Sequence, residues 1–303
     1  MTLPVRPAML LSLAGMVACA PITEPPAEVP ASSLVQRAVG VHRFKVGQLD
    51  LAVINDGFLP VANDGKVWTD PGPDEIGRLL NAAGLPTNAT SFDVNVLLVR
   101  TQDRIVLIDT GMGALAPTTG RLTSNLAKAG VAPAQVTDVV ITHGHVDHIG
   151  GLTSSTGISA FPNAKVRMTA AEWAALQRFP PPGLISAIGP QVVTFEAGTE
   201  ILPGLSSVEV RGHTPGHTAV RIESSGKSLL AVADTAHHYV VSLRQPEFTI
   251  SFDVDPDTAE ASRRALLTRA SVGRNRIFAP HFPFPGLGVV RGEGDGFAWL
   301  PMQ

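Results

Sequence analysis

The segment His143-Gly144-His145-Val146-Asp147-His148 constrains this chain more than any other. Three imidazoles and a carboxylate within six residues converge only where the backbone turns sharply, and Gly144 with Gly150-Gly151 is read as providing that turn. Imidazole nitrogen and carboxylate oxygen are the donors a borderline divalent metal prefers, and a catalytic zinc site takes three of them while keeping a position for water. Any one of these histidines alone would more simply be a surface or hydrogen-bonded residue. Together, between an apolar strand read over 137–142 and a Gly-Gly turn, they point to a hydrolytic metal site.

The rest of the pattern frames that cluster. Apolar residues alternating from 41 to 59 around Gly47, ending at Asn55-Asp56-Gly57, predict a first hairpin. Residues 73–84 open with proline and two acids, place Ile76, Leu79 and Leu80 at helical spacing, and stop at Gly84. This helix sits in a long connection, 60–91, which is expected to form a wall of a substrate pocket. A second hairpin, 95–99 with 105–108, turns at Gln102-Asp103 and runs into Asp109-Thr110-Gly111. A helix over 123–130 precedes the strand that delivers the histidines at its C-terminal end, where open α/β sheets place their chemistry. A strand at 165–168, a helix at 170–177, short strands from 192 to 232 and a helix over 256–270 capped by Asp255 complete the reading. Strands flanked by helices in two similar halves predict a layered α/β sandwich.

A chain of 303 residues with 44% hydrophobic content can close one large core, so a single folded domain over 35–303 is the simpler reading. The net charge of −3 gives no basic face to recruit nucleic acid. At the N-terminus, Arg6 precedes an apolar run too short to span a bilayer, so residues 1–18 read as a signal peptide. Residues 19–34, rich in Pro, Glu and Ser, read as a flexible tether. Cys19 is the only cysteine, which excludes an intrachain disulfide. Met16-Val17-Ala18-Cys19 resembles a bacterial lipoprotein signal with Cys19 as the lipidated residue and membrane tether. The alternative is an ordinary cleaved signal with an incidental cysteine. In both cases the chain is expected to be exported, as a periplasmic protein or a membrane-anchored lipoprotein.

His-x-His-x-Asp-His after a short apolar strand resembles the signature of the metallo-β-lactamase superfamily, and the similarity extends over residues 41–300. The resemblance implies an αββα four-layer sandwich. It implies that Asp109, in Leu-Ile-Asp-Thr-Gly, braces the ligand loop. It further implies two divalent ions, expected to be zinc: one held by His143, His145 and His213, a second by Asp147, His148 and His281, with Asp234 bridging them. Two such ions lower the pKa of a shared water toward neutrality, giving a bridging hydroxide, and polarise a carbonyl or phosphoryl oxygen. Asp147 is then expected to pass a proton to the leaving group. Histidine at 145, where the flavodiiron branch carries glutamate, argues against oxygen or nitric oxide reduction. Aspartate at 234, where many true β-lactamases carry cysteine, argues against antibiotic hydrolysis.

The C-terminal wording narrows the resemblance. His281-Phe-Pro-Phe-Pro-Gly-Leu-Gly, Phe297-Ala-Trp299-Leu-Pro301, Trp68-Thr-Asp-Pro and Phe252-Asp-Val-Asp-Pro-Asp are similar to the methyl parathion hydrolase group, with N-acyl homoserine lactonases more distant. The implied substrate is a small ester, lactone or phosphotriester, and the implied assembly a homodimer. Competing readings are an N-acyl homoserine lactonase, a β-lactamase-like hydrolase, and a non-catalytic periplasmic binding lipoprotein.

Other residues carry weaker signals. His217 either orients a ligand or packs in its turn. His237, His238 and His42 are read chiefly as structural, and Tyr239 as core or surface. Trp68, Trp173, Phe179, Phe282 and Phe284 have the size to line an apolar leaving-group pocket or to fill the core. Arg263, Arg264 and Arg269 are read as the solvated face of the last helix.

Overall fold

Side chains two apart along a strand share a sheet face, and in this computed structural model, which describes residues 40–302, both faces of the first sheet are apolar. That sheet runs in the order Val41–Val46, Leu49–Ala62, Ala89–Arg100, Ile105–Ile108, Asp138–Val140, Lys165–Thr169, Val192–Phe195. On its outer face Ala52, Ile54, Val96, Leu98 and Leu107 meet Leu122, Leu126, Leu176, Leu184 and Ile188 from three helices, Leu122–Lys128, Ala170–Leu176 and Leu184–Ile188. On its inner face Leu51, Val53, Leu97, Val99, Val106 and Ile108 meet Leu205, Val220, Ile222, Leu229 and Phe278 of a second sheet. The second sheet runs Gly296–Pro301, Leu287–Glu293, Arg276–Phe278, Lys227–Ala231, Thr218–Ser224, Leu205–Glu209, Glu200–Leu202. Its outer face packs on Leu266, Leu267 and Ala270 of the helix Pro256–Val272. Helix, sheet, sheet and helix layers form an αββα sandwich. Each fully buried aliphatic side chain contributes about 1.5–3 kcal/mol of burial, so the layer between the sheets and the layer beneath the first sheet's helices both hold the sandwich together. The expected signal peptide, tether and Cys19 all fall outside the described residues. Among the described residues no helix is long and apolar enough to cross a membrane.

Three expectations change in detail. Asn55-Asp56-Gly57 does not end the second strand but forms a bulge, and the strand continues to Ala62. Gly57 takes a left-handed φ of 150°, and Asp56 turns inward to accept the N–H groups of Met112 and Leu122. The connection 60–91 is mostly regular structure: the end of that strand, a short strand Trp68–Asp70, the helix Pro73–Ala82 and the start of the next strand. It builds an annex around Trp68, Ile76, Leu80, Phe92, Val241 and Ile250. Arg263 is not on a solvated face; it is only 2% exposed, whereas Arg264 does reach the surface and pairs with Glu247.

The topology brings strand ends together. Asp109 follows Ile105–Ile108, His143 follows Asp138–Val140, His213 follows Leu205–Glu209, Asp234 follows Lys227–Ala231, and His281 follows Arg276–Phe278. Both sheets therefore contribute C-terminal strand ends to one edge of the sandwich, where parallel pairing leaves loops free to diverge toward a ligand.

Candidate active site

At that edge His143, His145, His213 and Asp234 form one group and Asp147, His148 and His281 a second, with the donor atoms of each group within 4.8 Å of one another. The Gly150-Gly151 turn is required for close approach rather than for unusual torsion. A Cβ on Gly150 or Gly151 would stand 2.2 or 2.1 Å from the carbonyl oxygens of Met112 and Thr110. This packing lets the short helix Val146–Ile149 lie against the Asp109 loop.

The outward nitrogens of four of these histidines are held by neighbours. His148 Nδ1 donates to Asp109 Oδ2 at 2.8 Å, and His213 Nδ1 donates to Asp253 Oδ1 at 2.7 Å. His281 Nδ1 donates to the carbonyl of Asp93 at 2.8 Å. Thr142 gives its hydroxyl proton to Asp109, so its oxygen accepts from His143 Nδ1 at 3.1 Å. With the outer nitrogen carrying the proton, the inner nitrogen of each neutral ring presents a lone pair. Asp109 therefore braces two ligand positions at once, and it does so with a left-handed φ of 63°, a conformation a residue with a Cβ adopts only when its surroundings hold it there.

The inner nitrogens crowd one another. His143 Nε2, His145 Nδ1 and His213 Nε2 make a triangle with sides of 3.1, 2.9 and 3.2 Å. A ring nitrogen is donor or acceptor, never both, so at least one side of the triangle sets like against like. Across from it, Asp234 turns Oδ2 toward His213 and His143, at 3.4 and 3.6 Å, and Oδ1 toward His148 and His281, both at 3.1 Å. Despite those two short distances, buried Oδ1 has no hydrogen bond of acceptable geometry. An orphaned carboxylate oxygen between two sets of converging lone pairs fits bound cations, and the nitrogen and oxygen donors suit zinc. Asp147, part-exposed, lies with Oδ2 3.5 Å from His281 Nε2.

The electrostatics agree with that fit. Burial opposes charge on Asp234, but His148, His281 and His143 around it hold its carboxyl well below the usual range. Burial also opposes charge on His148, yet Asp234, Asp109 and Asp147 outweigh it and raise His148 well above an ordinary histidine. Burial and the nearby His213 lower His145 to about 4. In the metal-free protein His148 thus carries a proton at neutral pH that a cation must displace. Metal uptake is expected to release protons, and apparent affinity to fall as pH drops below the raised pKa of His148. Calorimetric titration in buffers of different ionisation enthalpy measures this directly; an uptake with no proton release would contradict it.

His217 acts on the carboxylate. Its Nδ1 donates to the Val210 carbonyl at 2.9 Å, and its Nε2 accepts the backbone N–H of Asp234 at 3.1 Å. Burial, reinforced by His213, lowers its pKa to about 3, which keeps it neutral for that role. His238 is structural, its ring accepting the N–H groups of Val240 and Val241. His237, by contrast, belongs to the site. It stacks on His281, places Nε2 3.3 Å from Asp234 Oδ2, and neither ring nitrogen makes a hydrogen bond.

The expected aromatic wall is elsewhere. Phe282 is wholly buried against Trp299 and Tyr239, since the residue after His281 points away from the cluster into the second sheet's outer core. Phe284 packs on the inner core beside His42, Trp173 on the first sheet's helical layer, and Phe179 is 88% exposed. Trp68 plugs the annex and reaches the site only through Phe92, which it meets edge-on. The aromatic rings that contact site histidines are Phe92, against His237 and His281, and Phe252, against His145 and His237.

Sequence reasoning also missed Glu172. It is 3% exposed and accepts Gly144 N–H at 2.7 Å, the Thr214 hydroxyl at 2.8 Å and Gly216 N–H at 2.8 Å, tying the His143–His145 turn to the loop after His213. Replacing Asp109 tests the opposite support. Asp109→Asn is expected to loosen His148 directly and His143 through Thr142, weakening metal retention by about 10–100-fold, read as faster metal loss during dialysis against a chelator.

A family model described as the metallo-beta-lactamase superfamily matches residues 89–281. The chain belongs to this superfamily. It is 28% identical over 227 residues to a probable metallo-hydrolase of Mycobacterium tuberculosis, covering 61% of this chain and 68% of that protein. It is 27% identical over 177 residues to an N-acyl homoserine lactonase of Bacillus cereus, covering 50% and 68% of the two chains. Among solved structures, AidC, a dizinc quorum-quenching lactonase in complex with the product N-hexanoyl-L-homoserine, superposes with a TM-score of 0.81 at 30% identity, over 87% of this chain and 98% of that one. AbOPH, a hydrolase in the beta lactamase superfamily, superposes with a TM-score of 0.80 at 25% identity, over 88% and 99%. As a member of this superfamily the chain is a metal-dependent hydrolase.

Proposed function

We propose that the chain hydrolyses an uncharged lactone or ester, and with it phosphotriesters, at a dinuclear zinc site held by His143, His145, His213, Asp147, His148, His281 and the bridging Asp234. The observation that carries this reading is the two-sided Asp234 carboxylate between two sets of converging ring nitrogens. When bound, two divalent ions supply a water nucleophile near neutral pH and polarise the oxygen under attack. The protein's own residues do the rest. His217 and Asp109 fix the orientation of their neighbours, and part-exposed Asp147 stands where a leaving group can take a proton. Phe252, 40% exposed beside His145, offers an apolar face to substrate. The likeness to a dizinc lactonase supports testing an N-acyl homoserine lactone first among substrates.

The test is a panel assayed with zinc-loaded protein: N-hexanoyl homoserine lactone, an aryl ester, a paraoxon-type triester and nitrocefin. Turnover is expected for the lactone and the aryl ester, weaker for the triester, and least for nitrocefin. Protein that carries two zinc ions per chain and turns over none of them would overturn the proposal.

A further inference from the structure

We propose that Arg263 is a positioning residue that holds the His213 side of the cluster in register and so sets how firmly the ion on that side is retained. The inference rests on the dinuclear reading above. Arg263 lies on the helix Pro256–Val272, yet its buried guanidinium joins the segments that support His213. Its Nη2 donates to Asp253 Oδ2 at 2.8 Å, and Asp253 Oδ1 in turn accepts His213 Nδ1 at 2.7 Å. Its Nε donates to the carbonyl of Thr235, the residue after Asp234, at 2.8 Å. Its Nη1 donates to the Pro246 carbonyl at 2.6 Å, in the segment that leads to Asp253 itself. Backbone hydrogen bonds from Val254 to His213 and from Asp255 to Gly212 close the circuit.

The charges explain why an arginine is there. Asp253 is 8% exposed, and burial opposes its ionisation; His213, His237 and Arg263 together keep its carboxyl low. Without Arg263 the buried carboxylate loses both its counter-charge and the hydrogen bond that fixes the direction of its second oxygen. It is then free to turn, and no longer fixes the His213 ring with its lone pair directed inward. A lysine can supply the charge but not the planar fork that meets a carboxylate and separate carbonyls together. The other side does not depend on this hub, because His148 hangs on Asp109 and His281 on the carbonyl of Asp93. The effect is therefore one-sided.

Zinc release into a chromophoric chelator reads it without substrate. The parent is expected to release two ions in two phases; His145→Ala identifies the phase of the His213 side by removing it, and the phase that remains belongs to the other side. Arg263→Met is expected to speed the His213-side phase by about 10–100-fold and leave the second phase unchanged, with Arg263→Lys intermediate. Cobalt-substituted protein should lose part of its visible ligand-field intensity in the same order. Both phases unchanged in Arg263→Met, or both accelerated equally, would overturn the proposal. If Arg263→Met does not fold, Asp253→Asn, which keeps the guanidinium and its carbonyl contacts, must accelerate the same phase; an unchanged phase there overturns it equally. A parent that binds fewer than two ions would instead refute the dinuclear reading, before any variant is compared.

Discussion

Asp234→Ala is expected to lose both metals on dialysis and to reduce turnover by about 10³-fold or more, the scale seen when preorganised charge at a reacting centre is removed. The carboxylate is 3% exposed and stands within 3.6 Å of ring nitrogens from His143, His148, His213 and His281. Without it the converging lone pairs keep their mutual repulsion and lose the one negative charge shared between the two sides. Asp234→Asn keeps the volume but offers one neutral oxygen, so it should retain at most one ion. Metal analysis beside kcat/KM separates the cases. An Asp234→Ala protein with two ions per chain and turnover close to the parent's would show that the carboxylate does not bridge.

The second large effect is expected at Glu172. Truncation to alanine strands two backbone N–H groups and a threonine hydroxyl where little water reaches. Each stranded donor costs about 1–3 kcal/mol, so the three together cost on the order of 3–9 kcal/mol before any rehydration. At about 2–4 °C per kcal/mol for a domain of this size, the metal-free protein should melt roughly 10 °C lower. Using metal-free protein keeps the cost of the broken tie apart from any change in metal binding. Glu172→Gln keeps the volume and one acceptor but points an amide N–H₂ at donors, so an intermediate loss is expected. If the alanine variant melts with the parent, Glu172 does not tie the two ligand loops together.

These two residues differ in how visible they are in the sequence. His143, His145, Asp147 and His148 are legible by themselves because one turn of chain gathers them. His213, Asp234 and His281 come from distant strand ends, and only family likeness points to them. Glu172 is hidden by a common local pattern: Thr169-Ala-Ala-Glu172 reads as a helix cap, and the Thr169 side chain does accept Glu172 N–H. The glutamate, however, reaches forward to the ligand loops instead of back to its own helix. Arg263 did leave a trace. It shares the spacing of Ala259, Leu266, Leu267 and Ala270, the buried stripe of its helix, while Arg264 and Arg269 do not. A cation on an apolar stripe is a better sign of a buried hub than three arginines on one helix are of a solvated face. The aromatic wall was misplaced for a related reason, since adjacency in sequence to a ligand says little about direction. Phe282 follows His281 and faces the opposite way.

The layers themselves were legible because near-continuous apolar runs, such as those at 95–99 and 105–108, mark strands buried on both faces. The bulge was not, since Asn-Asp-Gly is also the wording of a turn. What decides between them is a partner strand long enough to continue past it, and Ala89–Arg100 provides that pairing as far as Ala62.

That long strand pair, continued past its bulge, has a mechanical meaning. The ladder between Leu49–Ala62 and Ala89–Arg100 starts in the middle of the sandwich and ends in the annex, whose Phe92 backs His237 and His281. The wall behind the cluster is thus a cantilever rooted in the core rather than a flap on a hinge. Swinging it away would break backbone pairings that also hold the first sheet together. The exposed apolar side chains beside the cluster are instead Val146, within the histidine turn, and Phe252, against His145.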